Sequence, residues 1–249
     1  MLIGANGNLG PIWADAILSA NGDLLCLDFQ SMPDEALHRI LSRYGAEENF
    51  QKLNVLEQVN EELIATHLSV YFDGIVYNAG IDSIPGSGKA RITDYSIDDW
   101  LSVLSVNLVG ASNMLNQFEK YCKTGASIVL IGSMYGLVAP RLEFYSHFNN
   151  GEGMTKNPAY SASKAGLIAL CKQYASSNWG DDCRFNMLTI GAYESSQDSN
   201  FKKKILRQIP KNRMANSDDL PGALIFLLSD GSKYMNGQNL VLDGGFTAI

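Results

Sequence analysis

Basic residues are scarce in this chain, and so are histidine, proline and long apolar runs. Lys and Arg number 19 against 26 Asp and Glu, a formal net charge of −7, which argues against non-specific binding to nucleic acid. The four cysteines, Cys26, Cys122, Cys171 and Cys183, include no Cys-x-x-Cys pair. Neither a disulfide framework nor a metal site is expected, and a reducing cytoplasm fits. The longest unbroken apolar run, residues 223–228, is far too short to cross a bilayer, so no membrane partner is expected. No charged stretch followed by an apolar one opens the chain, so no secretory signal is expected. There is no internal repeat, low-complexity tract or linker. What remains is 249 residues, 46% hydrophobic and 18% charged, enough for one large domain over 1–249 with a full core.

Apolar runs of strand length alternate with helical patterns. After a first strand of almost no residues at Leu2 and Ile3, strands are predicted over 24–27, 49–53, 74–77, 127–131, 184–190 and 239–242. Either that first strand is very short or residues precede it. Helices are predicted over 33–44, with Pro33 at the start, and over 57–70, 97–122, 158–178 and 218–228. A further helix, carrying Ile12, Trp13, Ala16 and Ile17, follows the first strand. Such alternation implies right-handed crossovers, hence an α/β fold: a doubly wound parallel sheet of about seven strands with helices on both faces.

Two patterns point to chemistry. Gly4-Ala5-Asn6-Gly7-Asn8-Leu9-Gly10 lies between the first strand and that helix, where glycines let backbone approach a pyrophosphate at a helix N-terminus. Asp28 ends the second strand, where a carboxylate can bind ribose hydroxyls and repel a 2′-phosphate; a turn or capping aspartate is the bland alternative. No Lys or Arg occurs between Leu2 and Met32, which favours NAD(H) over NADP(H). Tyr160 and Lys164, four apart, share one helix face. An ammonium beside a phenol favours the phenolate, which makes the pair a general acid/base for a hydroxyl or carbonyl. Alone, the pair is as compatible with a solvated helix face.

Together with Tyr77-Asn78-Ala79-Gly80, with Asn107 in Ser105-Val106-Asn107-Leu108-Val109-Gly110, with Ser133 and with Asp243-Gly244-Gly245, these motifs stand in an order that resembles the short-chain dehydrogenase/reductase family over nearly the whole chain. The resemblance implies a single-domain Rossmann fold. It implies Tyr160 as the proton-exchanging group, Lys164 as its partner and a nicotinamide ribose contact, Ser133 orienting the substrate oxygen, and Asn107 holding a water in a relay to Lys164. It implies a cofactor set of Gly4, Asn6, Gly7, Asn8, Leu9, Gly10, Asp28, Asn54, Val55, Asn78, Ala79, Gly80, Tyr160, Lys164, Gly191 and Tyr193. Gly191-Ala192 stands where the family usually has Pro-Gly, which puts the cofactor role of Gly191 and Tyr193 in doubt.

Ser133 and Tyr160 are separated by an insertion over 141–157, longer than the family's short forms have, and it must pass near the substrate mouth. With Ser133-Met134-Tyr135-Gly136, it resembles a subgroup associated with bacterial surface-sugar pathways; Met134 and Tyr135 stand where dehydratases carry acidic residues. In the family, 193–217 covers the substrate. Here that segment holds six basic residues, Lys202, Lys203, Lys204, Arg207, Lys211 and Arg213, and between Ser199 and Ser217 no acidic one. A cationic cover suits an anionic small molecule such as a sugar phosphate or nucleotide sugar; a solvated helix face is the alternative. His147, Glu143 and Glu152 in the insertion are candidate proton or hydroxyl ligands, or plain surface residues. Trp13, Trp100 and Trp179 read as packing residues.

The leading expectation is an NAD(H)-dependent oxidoreductase that interconverts a secondary alcohol and a ketone on a phosphorylated or nucleotide-linked sugar. An NAD-retaining epimerase would use the same residues, and a non-catalytic dinucleotide sensor would not need Tyr160 and Lys164. Small residues Ala159, Ala162, Ala165, Gly166 and Ala169 on the 158–178 helix, with the family's habit of pairing through its long helices, imply a homodimer or homotetramer.

Overall fold

The computed structural model describes residues 1–60, 71–82, 88–148, 151, 153–177, 180 and 182–248. Its strands are β1 (Leu2–Ile3), β2 (Cys26–Asp28), β3 (Phe50–Lys52), β4 (Phe72–Tyr77), β5 (Cys122–Ser133), β6 (Arg184–Ile190) and β7 (Asn239–Leu242). All pairings are parallel, in the order β3-β2-β1-β4-β5-β6-β7. The described α-helices are α1 (Gly10–Ser19), α2 (Glu35–Tyr44), α3 (Ile97–Leu104), α4 (Gly110–Phe118), α5 (Pro158–Ala175), α6 (Ser199–Leu206) and α7 (Pro221–Leu228).

The two-residue period of a strand sends alternate side chains to opposite faces. Ile3, Leu27, Ile75, Tyr77, Ile128, Leu130, Phe185 and Met187 meet Met114, Leu115 and Phe118 of α4 and Leu167 of α5. Leu2, Cys26, Val76, Val129, Ile131, Leu188 and Ile190 meet Trp13 of α1, Leu37 and Leu41 of α2, and Leu224 and Leu227 of α7. Burial on both faces is why these strands read as continuous apolar runs. Each fully buried Leu or Phe stabilises by roughly 1.5–3 kcal/mol relative to exposure.

Several boundaries differ from the sequence pattern. The helix expected over 97–122 is broken: α3 passes into a π-helical turn, Ser105–Val109, then α4, then a 3₁₀ turn, Glu119–Tyr121. Asn107 sits inside that π turn with its side chain turned to another segment, a common cause of a local helix distortion. Cys122 belongs to β5, which starts early because a register shift between Phe72 and Gly74 lets it pair with β4 there. α2 starts after Pro33, because the Asp34 carboxylate accepts from the Leu37 amide and caps it. The stretch over 218–228 is a 3₁₀ turn, Ser217–Asp219, followed by α7, which begins at Pro221. Residues 57–60 form no helix, and the rest of the helix expected over 57–70 lies outside the described residues, as does Trp179; the helix expected over 158–178 ends at Ala175, with Ser176 at its C-cap. Trp13 is fully buried, whereas Trp100 is only half-buried.

A third apolar cluster lies apart from the sheet. Phe144 and Tyr145 of the insertion join Ile205 and Ile209 of the covering segment, with Met134, Tyr135, Met214 and Phe246. Insertion and cover are therefore one packed unit.

Candidate active site

The strand order reverses between β1 and β4, and in open α/β sheets ligands bind beyond the C-terminal ends of the strands at such a point. The glycine loop leaves β1 there. At Gly7, φ is +87° and an added Cβ would meet nothing within 4 Å, so the left-handed backbone itself calls for glycine. At Gly10 an added Cβ would lie 1.9 Å from the Ala5 carbonyl oxygen, so crowding calls for it and lets α1 close on the loop. α1 has no side-chain cap and no acidic residue in its first turn, as is true of α4 and α7, whereas Asp34, Ser96, Asn157 and Asp198 cap α2, α3, α5 and α6. An uncapped helix start behind Asn8 and Leu9 fits a pyrophosphate.

Two carboxylates border the loop. Asp28 accepts from the Asn6 amide at 3.0 Å and the Gln30 amide at 3.1 Å. Asp34, which the sequence did not single out, accepts from the Gly7 amide at 2.9 Å while capping α2. The Asn6 side chain accepts from the Asp34 amide and donates to Gln30 and the Met32 carbonyl. The exit of β4 is tied to the same loop: Asn78 donates to the Gly4 carbonyl at 2.6 Å and accepts from the Trp13 indole at 2.9 Å, and the Ala79 amide donates to the Ile3 carbonyl.

The remaining cofactor candidates have mainly internal partners. Asn54 donates to Glu57 at 2.8 Å, and the Val55 carbonyl accepts from Asn113 at 2.8 Å. The Gly191 amide donates to the Leu242 carbonyl, and an added Cβ would lie 2.5 Å from the Asp243 Cα. Tyr193 packs with the layer around α1 and α7, and its carbonyl accepts from Gln197. Gly191 and Tyr193 thus serve the β6–β7 end of the sheet in this structure.

Four residues expected to act together converge beyond β4 and β5. An added Cβ at Gly80 would come 3.3 Å from both the Asn107 Oδ1 and the Lys164 Nζ. Asn107, fully buried, accepts from the Ile81 amide at 2.8 Å and donates to the Ile81 carbonyl at 2.8 Å and the Ser163 hydroxyl at 3.0 Å. Its side chain therefore braces the loop after β4 through Ile81 and ties it to α5 through Ser163. Ser133 ends β5, and its hydroxyl accepts from the Tyr135 amide at 3.2 Å, next to the half-buried Tyr160. Lys164 is 5% exposed and donates from Nζ to the Ile131 carbonyl at 2.9 Å. Its Nζ lies 5.9 Å from the centre of the Tyr160 ring.

Burial dominates the acid–base balance of the pair. It pushes the Tyr160 phenol up to about 12, against the opposing hydrogen bond from Ser133. It pulls the Lys164 ammonium down to about 8, against the field of Asp82. The expectation that the neighbouring ammonium lowers the phenol is thus outweighed: Lys164 is buried and its hydrogen bond goes to a carbonyl, and the half-buried Tyr160 packs against an apolar cluster.

The unit above these residues uses most of the expected surface candidates for its own cohesion. Phe144 meets Phe201 edge-on at 6.2 Å and Phe246 at 6.4 Å. His147 pairs with Asp198 at 2.6 Å. Lys204 donates to the Ser146 hydroxyl at 2.8 Å, Lys202 pairs with Glu194 at 3.4 Å, and Arg213 forks onto Asp219 at 2.5 and 2.7 Å. Glu143 is exposed and stands 3.9 Å from Arg141; Glu152 lies outside the described residues. Lys203, Arg207 and Lys211 are exposed.

Residues that sequence reasoning passed over stand closer to Tyr160. The Lys156 Nζ lies 4.9 Å from the Tyr160 ring centre and 5.4 Å from that of Tyr135, and it is paired with the Asp82 carboxylate. The Tyr135 and Tyr145 hydroxyls are 3.2 Å apart. Nothing in the spacing of Asp82 or Lys156 marks them; only the fold of the insertion brings them together.

A family profile described as enoyl-(acyl carrier protein) reductase matches residues 4–247. An uncharacterized short-chain type dehydrogenase/reductase of Sinorhizobium fredii is 28% identical over the whole of this chain, which spans 43% of that protein's length. A structure assigned as a D-mannonate oxidoreductase of Haemophilus influenza, with bound NAD, superposes with a TM-score of 0.81 at 25% identity, covering 99% of this chain and 94% of that one. Another, assigned as a 2-deoxy-D-gluconate 3-dehydrogenase of Agrobacterium tumefaciens, with bound NADP, gives 0.73 at 27% identity, covering 100% and 96%. Sheet order, glycine loop and profile agree: the chain belongs to the short-chain dehydrogenase/reductase family, oxidoreductases that act on CH–OH groups with a nicotinamide cofactor.

Proposed function

We propose that the protein interconverts a secondary alcohol and a ketone with NAD(H), on a hydroxylated, anionic sugar derivative. One observation carries this reading: a half-buried Tyr160 next to Ser133, with a buried Lys164 behind it, beside a glycine loop at the C-terminal edge of the sheet. The glycine loop and the uncapped start of α1 would hold the pyrophosphate, and Asp28 the adenosine ribose. Bound nicotinamide supplies the hydride chemistry. The chain supplies geometry and a proton. Ser133 orients the substrate oxygen toward Tyr160. With its phenol held near 12, Tyr160 keeps its proton at neutral pH and is ready to donate it to a ketone oxygen. In the opposite direction the charged form of Lys164 favours the phenolate that accepts the alcohol proton.

NAD over NADP is supported by Asp28 and Asp34 at the loop, since a 2′-phosphate there would meet two carboxylates and no cation between Leu2 and Met32. The anionic substrate is supported by the exposed Lys203, Arg207 and Lys211 and by the sugar acids named for two of the similar structures. A bacterial surface-sugar role fits the same substrate class. A homo-oligomer fits the exposed Ile97 and Leu101 of α3, the exposed Val109, and exposed Ala162, Ala165 and Ala169 of α5. A monomer by light scattering at micromolar concentration would overturn that part.

The test of the mechanism is Tyr160→Phe. Turnover falls by roughly 10²–10⁴-fold or more, while NAD binding by fluorescence titration stays intact. Unchanged turnover would sink the role of Tyr160.

A further inference from the structure

We propose that Lys156 and Asp82 form a hydroxyl-reading subsite beside Tyr160, which selects substrates with a second hydroxyl next to the reacting carbon. It rests on the reading of Tyr160 as the proton-exchanging group.

Lys156 is fixed from both sides, and Asp82 from the side of Ile81. Thr155 pairs with Lys89 through its amide at 2.8 Å, and the Thr155 carbonyl accepts from the Tyr95 hydroxyl at 2.5 Å. Asn157 donates to the Asp99 carbonyl at 3.0 Å and caps α5 through the Ala159 amide at 2.9 Å. Lys156 is thus held between two anchored residues, with its side chain only 17% exposed. Asp82 directly follows Ile81, whose amide and carbonyl are both bound by Asn107. A long lysine side chain at a site entrance ordinarily has much rotamer freedom to lose; here the carboxylate and two aromatic faces define its position.

Chemistry sets the ligand class. The pair is neutral overall, so it gains little from a full negative charge, which Asp82 would repel. It offers ammonium hydrogens and carboxylate lone pairs side by side, which matches a neutral hydroxyl that both donates and accepts. A vicinal diol placed with one oxygen on Tyr160 and Ser133 presents its second oxygen to this pair. A mono-alcohol leaves the pair without that partner, and sites built to bind a hydroxyl discriminate strongly against analogues that lack it. The exposed cations of the cover then remain for a more distant charged group.

The test is binding, so it does not depend on turnover. Ligand-detected NMR on the NAD-loaded protein would compare trans-cyclohexane-1,2-diol with cyclohexanol. The wild type binds the diol about tenfold or more tightly than the mono-alcohol. Lys156→Met and Asp82→Asn each bring that ratio toward one, and Lys156→Arg retains most of it. NAD raises the melting midpoint of all four proteins, which reports that each is folded. Equal binding of the two probes by the wild type, no binding of the diol, or an unchanged ratio in both Lys156→Met and Asp82→Asn would overturn the proposal. Loss of turnover in Tyr160→Phe with the diol preference intact would leave the two readings separately decided.

Discussion

The site has a floor and a roof, and they are built on different principles. The floor is the C-terminal edge of the sheet: Ser133 at the end of β5, Asn107 in a π turn, Lys164 donating to β5, and Asn78 bound to the glycine loop. Its parts hold one another through backbone groups of the sheet. The roof is the insertion and the covering segment, held by its own aromatic cluster and by His147–Asp198 and Lys204–Ser146. The difference teaches where each part can vary: the floor is tied to the sheet, while the roof has its own apolar core and meets the floor only around Met134, Tyr135 and Tyr160.

The sharpest way to break that division is to empty the roof's core. Phe144 is fully buried between Phe201 and Phe246. Phe144→Ala should cost about 3–5 kcal/mol in urea unfolding if the roof melts with the sheet. A loss below about 1 kcal/mol, with amide exchange speeding only in 141–148 and 199–206, would show instead that the roof opens on its own.

The next test acts on the floor. Lys164 has a lowered ammonium pKa, about 8 against 10.5, so between those values the unfolded chain binds more protons than the folded one. Its contribution therefore becomes more favourable as pH rises through that window. The stability of wild type relative to Lys164→Met should rise by about 2–3 kcal/mol from pH 7 to pH 10. The buried thiols, raised to about 12, act in the opposite sense above pH 9 but cancel in the comparison. A pH-independent difference would mean the ammonium is not desolvated.

Most of the floor was legible in sequence, because glycines, a strand-end aspartate and a Tyr-x-x-x-Lys helix face carry local signals. The roof was not. Its basic residues read as a cationic cover, yet Lys202, Lys204 and Arg213 bind Glu194, Ser146 and Asp219. Lys156, the cation nearest the Tyr160 ring, gave no signal, since its partner Asp82 lies far away in the chain and only the insertion's path joins them. Asp34 was hidden for a simpler reason: it fell inside the helix expected over 33–44, whereas one of its oxygens caps α2 and the other serves the glycine loop. The π turn was missed because a helix that widens by one residue keeps its apolar face.

The smallest expected effect refines the floor at its cofactor edge. Asp28→Asn should narrow the preference for NAD over NADP by about tenfold, near 1.4 kcal/mol, because it removes one of two carboxylates facing a 2′-phosphate. Asp34→Asn should do less, since it keeps the cap on α2. Paired titrations with the two dinucleotides measure both; an unchanged ratio in Asp28→Asn would place the discrimination elsewhere.

The most direct measurement follows absorbance at 340 nm with NAD and NADP in parallel across sugars, sugar acids, sugar phosphates, nucleotide sugars and simple alcohols. NADH is expected to form with hydroxylated anionic substrates, faster than with simple alcohols and faster with NAD than with NADP. No reduced nucleotide with any substrate, in protein that binds NAD, would contradict a floor built for net alcohol oxidation.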